Sequence, residues 1–250
     1  MTHRPTDPSG ATGKMRLGIG ALMAVVLVAA CGGTDPQPAA EWGARLAASP
    51  RLSSSPSNQV ACTTCHAVTR DDERILPGHS LVGAFDRPSF WGGYEPDLRG
   101  AVDACLLFFM KGQRLDPRAD DARALFDYLA TLGGRGERGA LPHTVVTKPG
   151  GALPPGDPVR GALVHRLACE SCHGAAGSGD GRLMDDAPVL PDQAVAEARE
   201  LFPDDPPAAV FAEKVRHGQF FSVGGTMPLF SLEALPDEDL AALLAFYGIE

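Results

Sequence analysis

Positive charge is in short supply. The 250 residues hold 22 Lys and Arg against 31 Asp and Glu, a formal net charge of −9, with a sequence pI near 5.2. Such a surface repels phosphate backbones, so nucleic acid is excluded as a partner; it keeps a chain soluble and suits docking to a basic protein. Strict apolar/polar alternation and strand–helix–strand successions are also missing, which removes sheet-based classes from consideration. The apolar run from Leu17 to Ala30 is interrupted by glycines and falls short of the roughly 20 residues a spanning helix needs. Cysteine is sparse as well, six in all, but its placement is informative.

Four of the six cysteines belong to a repeated pentapeptide, C-x-x-C-H: Cys62-Thr63-Thr64-Cys65-His66 and Cys169-Glu170-Ser171-Cys172-His173. Two thiols one helical turn apart can bond the two vinyl groups of one porphyrin, and the adjacent histidine can supply an axial nitrogen to its iron, so the pattern is the attachment signature of c-type haem. It predicts two covalently attached haem c groups. A zinc site would draw four ligands from motifs at short range, whereas these stand far apart, one in each half of the chain. A redox C-x-x-C would sit in a βαβ unit, and the pattern of one is absent.

The N-terminus indicates the compartment. His3, Arg4, Lys14 and Arg16 precede the apolar run, as in an export signal. The stretch Val28-Ala29-Ala30-Cys31-Gly32 resembles the lipobox of bacterial lipoproteins, which implies lipidation of Cys31 and a chain held at the periplasmic side of a membrane by acyl chains; Gly32 leaves open whether that membrane is the inner or the outer one. Cleavage there would remove Arg4, Lys14 and Arg16 but only one acid, Asp7, so the mature chain would be more acidic still.

Punctuation then divides the chain: residues 1–30 signal, 31–40 tether, 41–133 first domain, 134–157 a Gly- and Pro-rich linker, 158–250 second domain. Each domain carries one haem motif and ends in an amphipathic helix. Leu125, Tyr128, Leu129 and Leu132 repeat at helical spacing before Gly133, and Leu240, Leu243, Leu244 and Tyr247 do so behind the acidic first turn Asp237-Glu238-Asp239. Further helices are expected over 98–111, 158–168 and 208–217. Helices flanking each haem motif, with long loops between them, resemble the class I cytochrome c fold, so the expected class is all-α with two tandem domains of that type.

His66 and His173 are the expected proximal ligands. For the second haem, Gly224-Gly225-Thr226-Met227-Pro228 lies well beyond His173 and just before the terminal helix; it resembles the Met-Pro loop of class I cytochromes c and implies Met227 as sixth ligand. Met184 follows His173 too closely to cross to the other face of the ring, and His217 is expected on a helix flank. The first domain reaches its last helix too soon to hold such a loop, so His79, Cys105, Met110 or an open iron remain for the first haem. Cys105 is the one thiol that neither lipid nor haem claims.

Two further resemblances bear on that haem. Gly43-Ala44-Arg45-Leu46, Arg51-Leu52-Ser53, the haem motif, Gly78-His79 and Arg87-Pro88-Ser89 look like the opening of bacterial dihaem cytochrome c peroxidases, over positions 43–100; that resemblance implies His79 as a distal ligand. Cys105, followed by Met110, Gly112 and Leu115, looks like the dihaem thiosulfate dehydrogenases and related sulfur-oxidation cytochromes. In that family a cysteine downstream of the first haem histidine is an axial thiolate, and Cys105 stands at a matching spacing after His66. The family's polar substrate positions after that cysteine are Leu106, Leu107, Phe108 and Phe109 here.

Trp42, Trp91 and Tyr94 are expected near the first haem or in its core. His143 and His165 are expected to face solvent, and Asp180, Asp185 and Asp186 to form a solvated loop with calcium binding as an alternative. The sequence thus implies an electron-transferring cytochrome working between redox proteins or within a larger respiratory complex. A small oxidoreductase acting at the first haem, peroxidase-like or oxidising a sulfur compound, is the rival reading.

Overall fold

The computed structural model describes residues 39–133, 139–146, 153–219 and 226–249. The signal and tether reading of residues 1–38, with Cys31, lies outside them, as do Gly224 and Gly225. All described residues belong to the unit Pro36–Glu250.

The fold of the described residues is all-α. Nine α-helices are described: α1 Ala39–Ala47, α2 Cys62–Cys65, α3 Leu98–Phe108, α4 Asp120–Thr131, α5 Pro158–Val164, α6 Glu170–His173, α7 Asp192–Leu201, α8 Pro207–His217 and α9 Asp237–Tyr247. Extended pairing among the described residues is limited to one isolated bridge, Phe90 with Glu95. Local chemistry sets the helix ends. The Asp97 carboxylate accepts from Gly100 N at 2.8 Å to open α3, and Asp157 accepts from Val159 N at 2.9 Å to open α5, with Pro158 at its first position. Acidic first turns favour α4 and α9 through the helix dipole, and Gly248 ends α9 in the left-handed region.

Three elements differ from the expected ones. The helix expected over 98–111 stops at Phe108, because Lys111 takes a positive φ of 53° and Gly112 N turns back to Leu106 O at 2.9 Å. The helix expected over 158–168 changes at His165 into a π turn, His165–Cys169, which re-aims the residues leading into the second haem motif. Helix α7 is not among the expected helices; its apolar stripe, Ala194, Val195, Ala198 and Leu201, is made mostly of small side chains, and only Ala198 is buried.

The described residues build two apolar clusters. Leu46, Leu52, Leu106, Met110, Leu125 and Leu129 form one; Val164, Leu190, Phe211, Val215, Leu240 and Leu243 form the other. Each holds one crossing of a first helix on a last helix, and both crossings depend on a glycine. A Cβ on Gly43 of α1 would lie 1.9 Å from Ala124 O and 2.6 Å from Tyr128 Cβ of α4; one on Gly161 of α5 would lie 2.0 Å from Ala242 O and 2.6 Å from Phe246 Cβ of α9. The same contact therefore occurs twice, from glycine to a carbonyl and to the Cβ one turn on. Such overpacking costs about 1–3 kcal/mol, so Gly43→Ala and Gly161→Ala should each lower the melting temperature in a circular-dichroism melt. An unchanged melting temperature would mean that the helices separate freely and that the crossings are not close-packed.

Candidate haem sites

The first motif is one helical turn with a short return loop. Thr64 N donates to Ala61 O at 3.0 Å and His66 N to Cys62 O at 2.9 Å, which puts both thiols on the same turn. The chain then doubles back: Gly78 N donates to Cys65 O at 3.0 Å and Leu81 N to Ala67 O at 2.8 Å. Gly78 lies flat on the His66 imidazole, where a Cβ would come within 2.2 Å of Cε1. This return brings the His79 carbonyl to His66 Nδ1, which donates to it at 2.7 Å. A carbonyl only accepts, so Nδ1 carries the proton and Nε2 presents its lone pair. Burial, together with the nearby Arg87, holds the His66 pKa below its usual value despite that hydrogen bond, so the ring is neutral at neutral pH, as a metal ligand must be.

The second motif repeats this chemistry on different local structure. Cys169 ends the π turn, Cys172 and His173 lie on α6, and Gly174 stops that helix at φ 71°. His173 Nδ1 donates to Pro188 O at 2.9 Å, again leaving Nε2 available. No disulfide joins the four motif cysteines or Cys105 to one another. Burial pushes Cys62 up to about 11 and Cys65 and Cys169 up to about 12, with Cys172 adding to the rise at Cys65. The loop after the first motif meets the turn before the second, where Ile75 N donates to Leu167 O at 3.0 Å.

A cavity opens beside the first motif. Cys62, Cys65 and His66 line it, together with Leu98, Val102, Cys105, Leu106 and Phe109 of α3 and its end, and Leu125 and Leu129 of α4. Its polar side chains are few: His79, Arg87, Ser89 and His143 join the cysteines and His66. Of the expected sixth ligands, Cys105 is partly buried with its surface on this cavity, and burial, then Cys62 and Cys65, raise its thiol pKa well above the usual range. Met110 is only 3% exposed and packs in the first apolar cluster, where its carbonyl accepts from Ser53 Oγ at 2.7 Å. His79 follows the glycine stacked on His66, and its ring meets His143 edge to face with centroids 5.7 Å apart.

Met227 is partly buried and packs against the second apolar cluster, as Cys169 and Tyr247 do. Pro228 and Leu229, the residues after it, line the first cavity. His217 is buried rather than on an open flank, with Nδ1 2.7 Å from Glu213 Oε2. No three His, Cys, Asp or Glu side chains among the described residues gather as a metal-ion site would require, Asp180, Asp185 and Asp186 included, so the two motifs do not combine into a zinc-like set.

Some sequence expectations need correction. His143 does not face solvent: it lines the cavity, because residues 139–146 cross the first site rather than running outside it. His165 is 5% exposed, turned inward by the π turn, and its Nδ1 lies 2.6 Å from the Tyr247 hydroxyl. Of the aromatics, Trp91 lines the cavity and stacks on Phe109 at 5.8 Å. Trp42 instead donates from Nε1 to Asp121 at 2.9 Å on the outside, and Tyr94 is 85% exposed. Nothing in a Gly- and Pro-rich segment without periodicity marked His143 as part of a site.

The segment 139–146 is fixed to the second half. Thr144 donates to Glu233 from N at 2.8 Å and from Oγ1 at 2.6 Å, and Leu232 N donates to Thr144 O at 3.1 Å. Partial burial works against the Glu233 carboxylate, but these hydrogen bonds prevail and hold its pKa down at about 2. A depressed carboxylate pKa contributes stability above the unfolded value, here near 4.5, that disappears as pH falls toward about 2. Amide exchange should therefore show Thr144 and Leu232 protected at neutral pH and losing protection across that acid range. Glu233→Gln should weaken the protection at neutral pH; unchanged protection would mean that the carboxylate does not hold the segment.

Residues 156–246 match the family described as cytochrome c oxidase, cbb3-type, subunit III, a c-type cytochrome domain; the matched stretch takes in Cys169, Cys172, His173 and Met227. No curated protein matches the chain. Among solved structures, thiosulfate dehydrogenase TsdBA from Marichromatium purpuratum, in its as-isolated form, is 16% identical, with a TM-score of 0.39, over 84% of this chain and 45% of that one. This chain thus spans under half the length of that protein.

Proposed function

We propose that the protein is a periplasm-facing, lipid-anchored dihaem cytochrome c that transfers single electrons between redox partners, with residues 41–133 and 158–250 each carrying one haem motif. Cys62, Cys65 and His66 would hold the first haem, with Cys105 as sixth ligand; Cys169, Cys172, His173 and Met227 would hold the second. Haem when bound supplies one-electron iron chemistry. The protein's part is to provide ligands, exclude water and set the relative potentials.

The observation that carries this reading is the composition of the first cavity. The wall that carries Cys105 offers Leu98, Val102, Leu106 and Phe109 and no acid, base or cation, while the cavity's His79, Arg87 and His143 come from the return loop and from residues 139–146. An enzyme working at the Cys105 side of the iron would need such a group on that wall, and an anionic sulfur substrate would need a cation there. Arg87, the one Lys or Arg among the described lining residues, donates to the carbonyls of Ser80 and Val82 at 2.7 and 3.0 Å, in the return loop that begins at His66.

Cys105 is favoured over His79 because its surface faces the lumen from α3, whereas the backbone of His79 serves the proximal imidazole. Met110 lines the cavity too, but it is 3% exposed and packed in the first apolar cluster, whereas Cys105 is less buried, which favours Cys105. Thiolate ligation lowers a haem potential and methionine ligation raises it, so these ligand sets bias electrons toward the second site. The contact of Ile75 with Leu167 joins the two motif regions. An acidic surface suits a basic redox partner, and the match to an oxidase subunit family makes a membrane-bound respiratory complex the favoured acceptor.

Cys105→Ala should abolish the thiolate signature of one haem in electron paramagnetic resonance and near-infrared spectra, raise the potential of that haem and leave the other unchanged. An unaltered low-spin spectrum would exclude thiolate ligation and turn attention to His79. Turnover of hydrogen peroxide by prereduced protein would contradict carriage.

A further inference from the structure

The first cavity is apolar except for one group of side chains. His79, Arg87, Ser89 and His143 line it together, and His79 and His143 meet edge to face at 5.7 Å. The Nε2 atoms of both histidines are buried without a hydrogen-bond partner. Buried polar atoms are satisfied in folded proteins, and two orphans in one cavity call for a common partner. If the first haem is held as proposed above, on which this inference rests, that partner follows from the shape of the group. Its only anionic substituents at the ring edge are two propionates, carried on the half of the porphyrin away from the vinyl positions that Cys62 and Cys65 would bond. Those carboxylates need donors once buried, and this cluster supplies them in a lining that, apart from the haem motif and Cys105, is otherwise mostly aliphatic and aromatic.

We propose that His79 and His143 are positioning residues for the first haem, each donating its Nε2 hydrogen to a propionate, with Arg87 adding positive charge beside them. His79 then serves twice, its carbonyl orienting His66 at 2.7 Å and its ring holding the far edge of the same group. His143 comes from the segment that Thr144 ties to Glu233 and Leu232. The first haem site is therefore completed by a strap anchored on the second half of the chain, and residues 41–133 alone do not contain all of it.

Redox titration of the dihaem protein tests the proposal. His143→Leu removes a donor from an anionic propionate, which favours the ferric state and should lower the first haem's midpoint potential while the second stays in place. His143→Gln retains an N–H donor and should recover most of the shift; His79→Leu and His79→Gln should behave the same way. Unchanged potentials in both leucine variants, or glutamine variants that match the leucine ones, would overturn the proposal. Should a leucine variant not fold, the propionate-bending Raman band of the first haem decides on wild-type protein: it should shift in D2O and differ in His143→Gln, and a band insensitive to both would overturn the assignment. A haem count of one per chain would instead overturn the reading of the site on which the proposal rests.

Discussion

Each C-x-x-C-H histidine spends its Nδ1 proton on a backbone carbonyl, His66 on His79 and His173 on Pro188. That hydrogen bond decides which nitrogen can meet iron and how the ring is oriented. It also dictates the course of the chain, which must leave the motif, turn and return within 13 residues in one half and 15 in the other. In the first half the return is close enough that only glycine fits at position 78. The loop after the motif is therefore part of the site, and the helices serve to hold the motif and its return loop together.

The helix crossings do that holding. Gly43 against Ala124 and Gly161 against Ala242 let the first and last helices of each half approach at backbone contact, and each pair closes one side of an apolar cluster. Neither cluster is large, which is reasonable for a unit whose prosthetic group would fill its centre. The walls of the first cavity are mostly aliphatic and aromatic, and in the proposed reading the groups that break the pattern would each have a use: Cys105 toward iron, His79, Arg87 and His143 toward the charged edge.

Much of this was legible in the sequence, for identifiable reasons. The two motifs are chemically singular, and the periodicity of Leu240, Leu243, Leu244 and Tyr247, like that of Leu125 and Leu129, reports a buried helix face directly. Cys105 was conspicuous because four other cysteines had an assigned use and Cys31 resembled a lipid site. His143 was not legible: its segment has no periodicity, and its place depends on a tertiary hydrogen bond between Thr144 and Glu233, 89 residues apart. The π turn that buries His165 has no sequence signature of its own, and the apolar stripe of helix α7 is weak because it consists mostly of small side chains. Gly78 stands out in the sequence only with His79, in the peroxidase-like resemblance; its place against the His66 ring comes from the fold.

The two halves are thus alike in how they hold a histidine and unlike in what surrounds it. The second carries a methionine loop, and the first carries a thiol and a strap from its neighbour, a difference suited to two sites of unequal potential. All of this rests on two covalent haems being present, one at each motif. Intact-mass spectrometry of the mature protein, with Cys62→Ala/Cys65→Ala and Cys169→Ala/Cys172→Ala beside it, tests that most directly. Two haem masses in the wild type, with one remaining in each double variant, is the expected result; a single haem in the wild type, lost only when one of the two motifs is removed, would contradict it.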